Sequence, residues 1–514
     1  MAHKARLEDL IERIDDTQVR VKNPYGVPVT LLARPDVPVE VDGLLELLDF
    51  LSLTESNARL AAASPGFFGD QGAAIERVVL TPDFHKGAGI PVGTVAAARG
   101  FVVPAAIGND ICCGMRLLVT DLPREKLVPK LPELMQRLRG IFFLGERDIP
   151  MSPRQREALL REGLPGLHET RDDNAATGLW RYYDPSSQAG DLARVHFGGG
   201  LSADGLFAFG DYVRSSGASD ARDPQIGSVG GGNHFVEVQT VEEILDGATA
   251  HAFGVQRDQI AIMVHSGSVA LGHAVGGHFV DRARGLYPRG LAHPEHGFHV
   301  LPTDGPNAAE SRRYLSAMRN AANFAFGNRL FLGLMALRAL SEVVGQRVGS
   351  RLVYDAPHNL IWPVDSGVHL HRKGACPALG PEPEQASPFR YSGHPVIIPG
   401  SMGDASYLLV GQGNDAALHS ACHGAGRSLT RGQATHVAED TYRRALLPLR
   451  VVTPIDPESP QVRLRRDILQ KHHQRLKEEA PYAYKPVTPV VETVEQAGVA
   501  SRVARLWPLL TVKG

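Results

Sequence analysis

The chain reads as an α+β protein, one large domain built on a central β core with glycine-rich loops at strand ends, flanking helices and insertions. Three observations predict this class. Apolar runs of strand length, broken by glycines, crowd the stretch from Arg77 to Thr120. Two later apolar runs each deliver a histidine just past their ends. Between those two, apolar residues recur at helical spacing from Glu310 to Val344, enough for one or two packed helices.

Taken in order, residues 1–60 read as a leader region packed on or beside the core. It holds a short helix from Leu7 to Ile14, an extended Val- and Pro-rich stretch, and a helix around Val41 to Leu53. Residues 61–514 form the main domain. Its first strands are Val78-Val79-Leu80, Val92 to Ala98, Phe101-Val102-Val103 and Leu117-Leu118-Val119. Residues 145–225 are polar, with low periodicity, and read as a loop-rich insertion. Ala261 to Val264 is a strand leading to His265, and Arg351 to Tyr354 a strand leading toward His358. Pro395 to Pro399 is a further buried strand, and Val462 to Glu479 a basic helix.

Composition excludes several classes. A formal charge of −2 over 514 residues gives no global basic field, so any polyanion must be held by a local patch. Apolar runs fall short of the ~20 residues that cross a bilayer, so no membrane partner is expected. The charged start from Met1 to Asp16 lacks the apolar segment of a signal peptide, and a cytoplasmic location is expected. Cys112, Cys113, Cys376 and Cys422 do not have the spacings of a disulfide framework.

The most informative stretch is Gly108-Asn-Asp-Ile-Cys-Cys-Gly-Met-Arg116. Asp110 and Cys113, three residues apart on a tight turn, can face one cation, and a thiolate ligand favours manganese, iron, cobalt or zinc over magnesium or calcium. Isolated histidines follow in Gly-, Ser- or Asn-rich settings: His234 after three glycines and Asn233, His265 before Ser-Gly-Ser, His358 before Asn359. One such histidine among 21 would ordinarily be structural. Several at strand ends, together with Asp110 and Cys113, point to a metal site. His423 differs, because Gly424, Ala425 and Gly426 can offer backbone N–H groups to a phosphate and Arg427 a charged contact. It is a candidate phosphoryl nucleophile or acid rather than a ligand.

Those segments, with Asp83-Phe-His-Lys-Gly87, Gly230 to Glu237, His371-Arg-Lys-Gly-Ala375, Pro399-Gly-Ser-Met-Gly403, Cys422 to Arg427 and Val512-Lys513-Gly514, resemble the RtcB family of RNA ligases in the same order from about residue 77 onward. The resemblance implies a ligase using two Mn²⁺ ions and GTP to join an RNA 3′-phosphate or 2′,3′-cyclic phosphate to a 5′-hydroxyl, in RNA repair or tRNA splicing. It implies Asp110, Cys113, His234, His265 and His358 as metal ligands and His423 as the nucleophile that takes GMP. It implies Asn233, Glu237, Ser401, Ser406, Tyr484 and Lys513 as guanylate contacts, with Ala425 and Gly426 around its phosphate. Partners implied are RNA with broken ends and, in some members, an archease-like activator. The chain departs from the family where Val269-Ala270 replaces the usual Arg-Gly and Ala88 a frequent Tyr. A manganese phosphohydrolase or nuclease, or a nucleotide-responsive RNA-binding protein, are the competing readings. Retention of both His423 and Lys513 argues against the first, and the intact ligand set against the second. Nothing in the sequence specifies the natural RNA or an oligomeric state.

Overall fold

Strand pairing at one edge of a large sheet brings residues from five distant stretches of sequence into one row. The computed structural model describes residues 6–214, 223, 225–365 and 367–514. Its eight-stranded sheet runs, in spatial order, Ser350–Pro357, Gly114–Pro123, Gln259–Ser266, Phe235–Ile244, Ala500–Val512, Ser406–Gly411 and Pro395–Ile398, with Val451–Val452 beside Ala500–Val512. Neighbours along this order are antiparallel. Strand ends therefore alternate with strand starts along the row: Pro357 pairs Gly114, Gly114 pairs Ser266, His265 pairs Phe235, and Val236 pairs Val512. Cys113, His234, His265, His358 and Lys513 are the residues at or just beyond that row.

A second, seven-stranded sheet runs Ile11–Arg13, Gln18–Val21, Val29–Leu32, Ala74–His85, Val92–Arg99, Val368–Lys373 and Asn359–Asp365. Ala74–His85 carries Asp83 to the same region, and the short strand Ser420–Cys422 ends one residue before His423.

The helix Ala308–Val344 is continuous over 37 residues and almost wholly buried. Its apolar residues fill the largest core cluster, while two polar ones, Asn328 and Arg329, reach loops near the row. Asn328 accepts from the backbone of Gly227 and Ser228 and donates to the Gly267 carbonyl. Arg329 donates to the carbonyls of Cys112 and Ser266 and is paired with buried Asp355. One rigid helix thus fixes the Cys112 turn, the 227–228 loop and the Ser266 turn relative to one another.

Several sequence expectations change. The first helix covers only Leu7–Leu10, and Ile11–Arg13 is a strand paired with Gln18–Val21. A four-residue helix earns little against its nucleation cost, and strand pairing takes over. Because Val29–Leu32 pairs with Ala74–His85, the leader region is part of a main sheet. The stretch 145–225 is largely helical, with Pro153–Glu162 opened by a Ser152–Gln155 capping box, then Leu164–Glu169, Pro185–Leu192 and Gly210–Arg214. Leu159, Leu160, Leu167, Leu179 and Trp180 from it enter the main core. These helices are short and punctuated by Gly and Pro, which masks their period. Within that stretch, 215–222 and 224 lie outside the described residues. The predicted helix at 41–53 is two helices, Val41–Leu51 and Leu53–Ala63, and the basic helix spans Arg466–Glu478.

Candidate active site

The turn after the helix Pro104–Ile107 is built around two left-handed residues, Gly108 and Cys112. The Cys112 N–H donates to the Asn359 carbonyl and Cys113 then points inward with the Cys112 amide anchored at 2.7 Å. Cys113 Sγ lies 3.2 Å from His234 Nε2 and 3.2 Å from His265 Nε2. Asp110 Oδ2 is 2.9 Å from His234 Nε2, and His265 Nε2 is 3.3 Å from His358 Nε2. The donor atoms of Cys113, His234 and His265 all fall within 4.8 Å of one another. Gly267 must be glycine, since a Cβ there would sit 2.2 Å from Asp110 Oδ1.

This arrangement fits a cation. His234 Nδ1 faces the Val229 carbonyl, which can only accept, so Nε2 is a bare lone pair aimed at a carboxylate. Burial pushes His265 and His358 well below the usual imidazole range, keeping them neutral donors. Burial, then Asp110, pushes the Cys113 thiol well up, so a cation is what would draw off its proton. His358 Nδ1 is buried and has no hydrogen-bond partner among the described residues.

His423 stands next to this cluster, its ring centroid 4.5 Å from that of His358 and 6.2 Å from that of His265. Its Nδ1 is held 2.7 Å from Asp83 Oδ2, and Asp83 Oδ1 accepts from Thr81. Burial opposes charge on Asp83, but the bond from His423 keeps its carboxyl low. With Nδ1 occupied, Nε2 is the nitrogen left for chemistry.

Both groups open on one cavity of about 490 Å³, lined also by Asn233, Glu237, Ser401, Ala425, Gly426, Tyr484 and Lys513. Elsewhere on its wall Glu237 accepts from Thr511 and Gln239, and burial pushes it up to about 7. Lys513 donates to the Gly232 carbonyl at 2.7 Å, and burial pushes it down to about 8. Glu479 accepts from Tyr484 and pairs with Arg427 and Arg431. Ser406 is set back behind the 399–403 turn, bonded to Gln239. Val269 and Ala270 open the helix Val269–Gly285, with Val269 at φ 49°, rare for a β-branched residue. Positive charge on the cavity wall comes instead from Lys86, Lys373, Arg427, Arg431 and Lys513.

Residues 71–514 match the family described as RtcB, tRNA-splicing ligase RtcB. This chain belongs to the RtcB family. It is 35% identical over 457 residues to a protein named RNA-splicing ligase RtcB from Mycobacterium tuberculosis, covering 84% of this chain and 96% of that one. It is 34% identical to tRNA-splicing ligase RtcB of Thermococcus kodakarensis (85% and 87% covered), and 33% to that of Pyrobaculum aerophilum (85% and 87%). The family and the buried Cys/His/His cluster together support a metal-dependent enzyme. In this RtcB-family chain the residues expected from sequence converge on one cavity, or, for His234 and Ser406, stand directly behind its wall.

Sequence reasoning missed Asp83, Glu479 and the Asn328–Arg329 pair. Asp83 lay inside a recognised motif, but its partner is 340 residues away and leaves no local spacing. Asn328 and Arg329 carried a detectable signal, as polar residues in the middle of an apolar helix.

Proposed function

We propose that this chain is a GTP-dependent RNA ligase joining 3′-phosphate or 2′,3′-cyclic phosphate ends to 5′-hydroxyl ends in RNA repair or tRNA splicing, in the cytoplasm. The observation that carries it is the Asp83–His423 pair beside, but outside, the thiol–imidazole cluster. Names of the curated relatives point to the same activity. Asp110, Cys113, His234, His265 and His358 would hold two Mn²⁺ ions, which when bound supply neutralising charge to phosphate oxygens. Residues 61–514 form the ligase domain of this reading, with the first 60 packed against it.

His423 Nε2 attacks the α-phosphorus of GTP and the bond to pyrophosphate breaks, giving a histidine–GMP phosphoramidate. Asp83 accepts the Nδ1 hydrogen throughout, stabilising the positive ring that forms. Glu237 and Lys513 face the guanine, and the 424–426 backbone faces the phosphate. An oxygen of the RNA 3′-phosphate, freed by water from the cyclic form where needed, then takes GMP and releases His423. The 5′-hydroxyl attacks that activated 3′-phosphorus and GMP leaves.

The test is His423→Ala assayed with GTP and Mn²⁺. The variant is expected to keep its manganese, form no GMP adduct by mass spectrometry, and seal no ends from GTP, yet still seal an RNA already carrying the 3′-guanylate. His234→Ala is expected to lose metal and fail at both stages. Loss of metal from His423→Ala, or an adduct still formed, removes the mechanism.

A further inference from the structure

The helix Val41–Leu51 precedes the span matched to the family, yet it touches the segment that carries Asp83. Three residues spaced by three, Glu40, Gly43 and Glu46, face that segment. The Glu46 carboxylate accepts from the Gly87 N–H at 2.7 Å, and Glu40 from the Lys86 N–H at 3.4 Å. Between them Gly43 lets the helix come down on the loop: a Cβ there would lie 2.9 Å from the Phe84 ring and 3.3 Å from the Lys86 nitrogen. Asp42 adds a long, exposed pairing with Lys86 at 4.0 Å. On the opposite side Lys485 donates to the Phe84 carbonyl at 2.7 Å.

The helix does not need these carboxylates for its own packing. Leu44, Leu47, Phe50 and Leu51 already anchor it in the second core cluster. Partly burying two carboxylates costs free energy unless their oxygens find donors, and the donors present are two backbone amides of the cavity wall. Lys86, Gly87 and Ala88 line the cavity, and Ala88 accepts from Lys373, so the held loop is continuous with both Asp83 and the positive wall.

We propose that Glu46, assisted by Glu40 and the close approach at Gly43, is a positioning residue that clamps residues 83–87 and so fixes Asp83 against His423. The N-terminal region is then a working part of the site and not a separate attachment. This rests on the assignment of His423 as the nucleophile.

The experiment compares full-length Glu46→Gln, Glu46→Asp and Glu46→Ala with wild type. Glutamine keeps the reach and an acceptor oxygen without the charge, and aspartate keeps the charge but is one methylene short. Two readings are taken: hydrogen exchange of the peptide spanning residues 84–89 without ligands, and the rate of GMP adduct formation with manganese content measured alongside. Glu46→Ala is expected to exchange roughly tenfold faster at Lys86 and Gly87 and to form adduct about tenfold more slowly, with manganese unchanged. The expected order of adduct rate is wild type, then Gln close behind, then Asp, then Ala. Wild-type exchange in Glu46→Ala, or Asp outperforming Gln, overturns the proposal. Should Glu46→Ala fail to fold, the Gln and Asp variants alone decide by their order. The exchange reading stands even if wild type forms no adduct, which would count against the nucleophile assignment instead.

Discussion

The two ends of the cavity are built differently. At one end a thiol, a carboxylate and three imidazoles crowd together, with acceptor facing acceptor at 2.9 Å between Asp110 and His234 and nitrogen facing nitrogen at 3.3 Å between His265 and His358. At the other end each charged side chain already has a partner: Glu237 with Thr511 and Gln239, Lys513 with Gly232, Glu479 with Arg427 and Arg431. The first end is completed only by an added positive charge. The second is self-contained, and a ligand entering it exchanges partners and does not supply missing ones. A metal should therefore add to the stability of the fold, whereas a nucleotide should be chosen by how well it replaces existing bonds.

The largest effect expected on this contrast comes from Cys113→Ala. Removing the sole thiol of the cluster should lower bound manganese, by elemental analysis, and cut both adduct formation and ligation by about a thousandfold or more. Two bound ions and normal activity in that variant would erase the distinction between the ends. Lys513→Met should instead leave manganese in place and weaken GTP binding by roughly ten- to a hundredfold in calorimetry, the usual size of one charge-assisted contact. Equal loss of metal there would show that the ends are not independent.

The smallest effect concerns Glu237. Burial raises its carboxyl from the ordinary 4.5 to about 7, so the folded protein binds this proton more tightly than the unfolded chain does. Its contribution to stability is complete below about pH 4.5 and is lost as pH rises through 7. Glu237→Gln mimics the protonated form at every pH. Its melting temperature relative to wild type, without ligands, should therefore rise by ~1–2 °C between pH 5 and pH 8. A flat difference would mean that Glu237 is charged in the folded protein across that range.

Much of the thiol–imidazole cluster was legible in the sequence as a group of residues in short, chemically unusual contexts. Asp110 and Cys113 share one turn, and His234 follows three glycines. Strand periodicity also placed His265 at a strand end, and the β core and long helix were visible from apolar spacing. Asp83 was not legible as a partner of His423, because a contact across 340 residues is set by sheet pairing and not by spacing. Residues 145–225 misled for another reason. Their helices are too short for a period to emerge, and only packing of Leu159, Leu160 and Trp180 against the long helix reveals them as core. Glu46 shows the same limit: nothing local singles it out within its helix, and only the fold supplies the amide it holds.

The strand Ala500–Val512 lies inside the eight-stranded sheet, between Phe235–Ile244 and Ser406–Gly411. It follows both neighbours in the chain, yet takes an interior place between them. Until it docks, two strands drawn from positions more than 160 residues apart in the chain present bare edges, which are templates for pairing with other molecules. A nascent or truncated chain lacking this strand would be a species that needs chaperoning. Thr511 and Lys513, at and just past the end of this strand, join the cavity wall only when it docks, whereas the strands that carry the thiol cluster pair with one another directly.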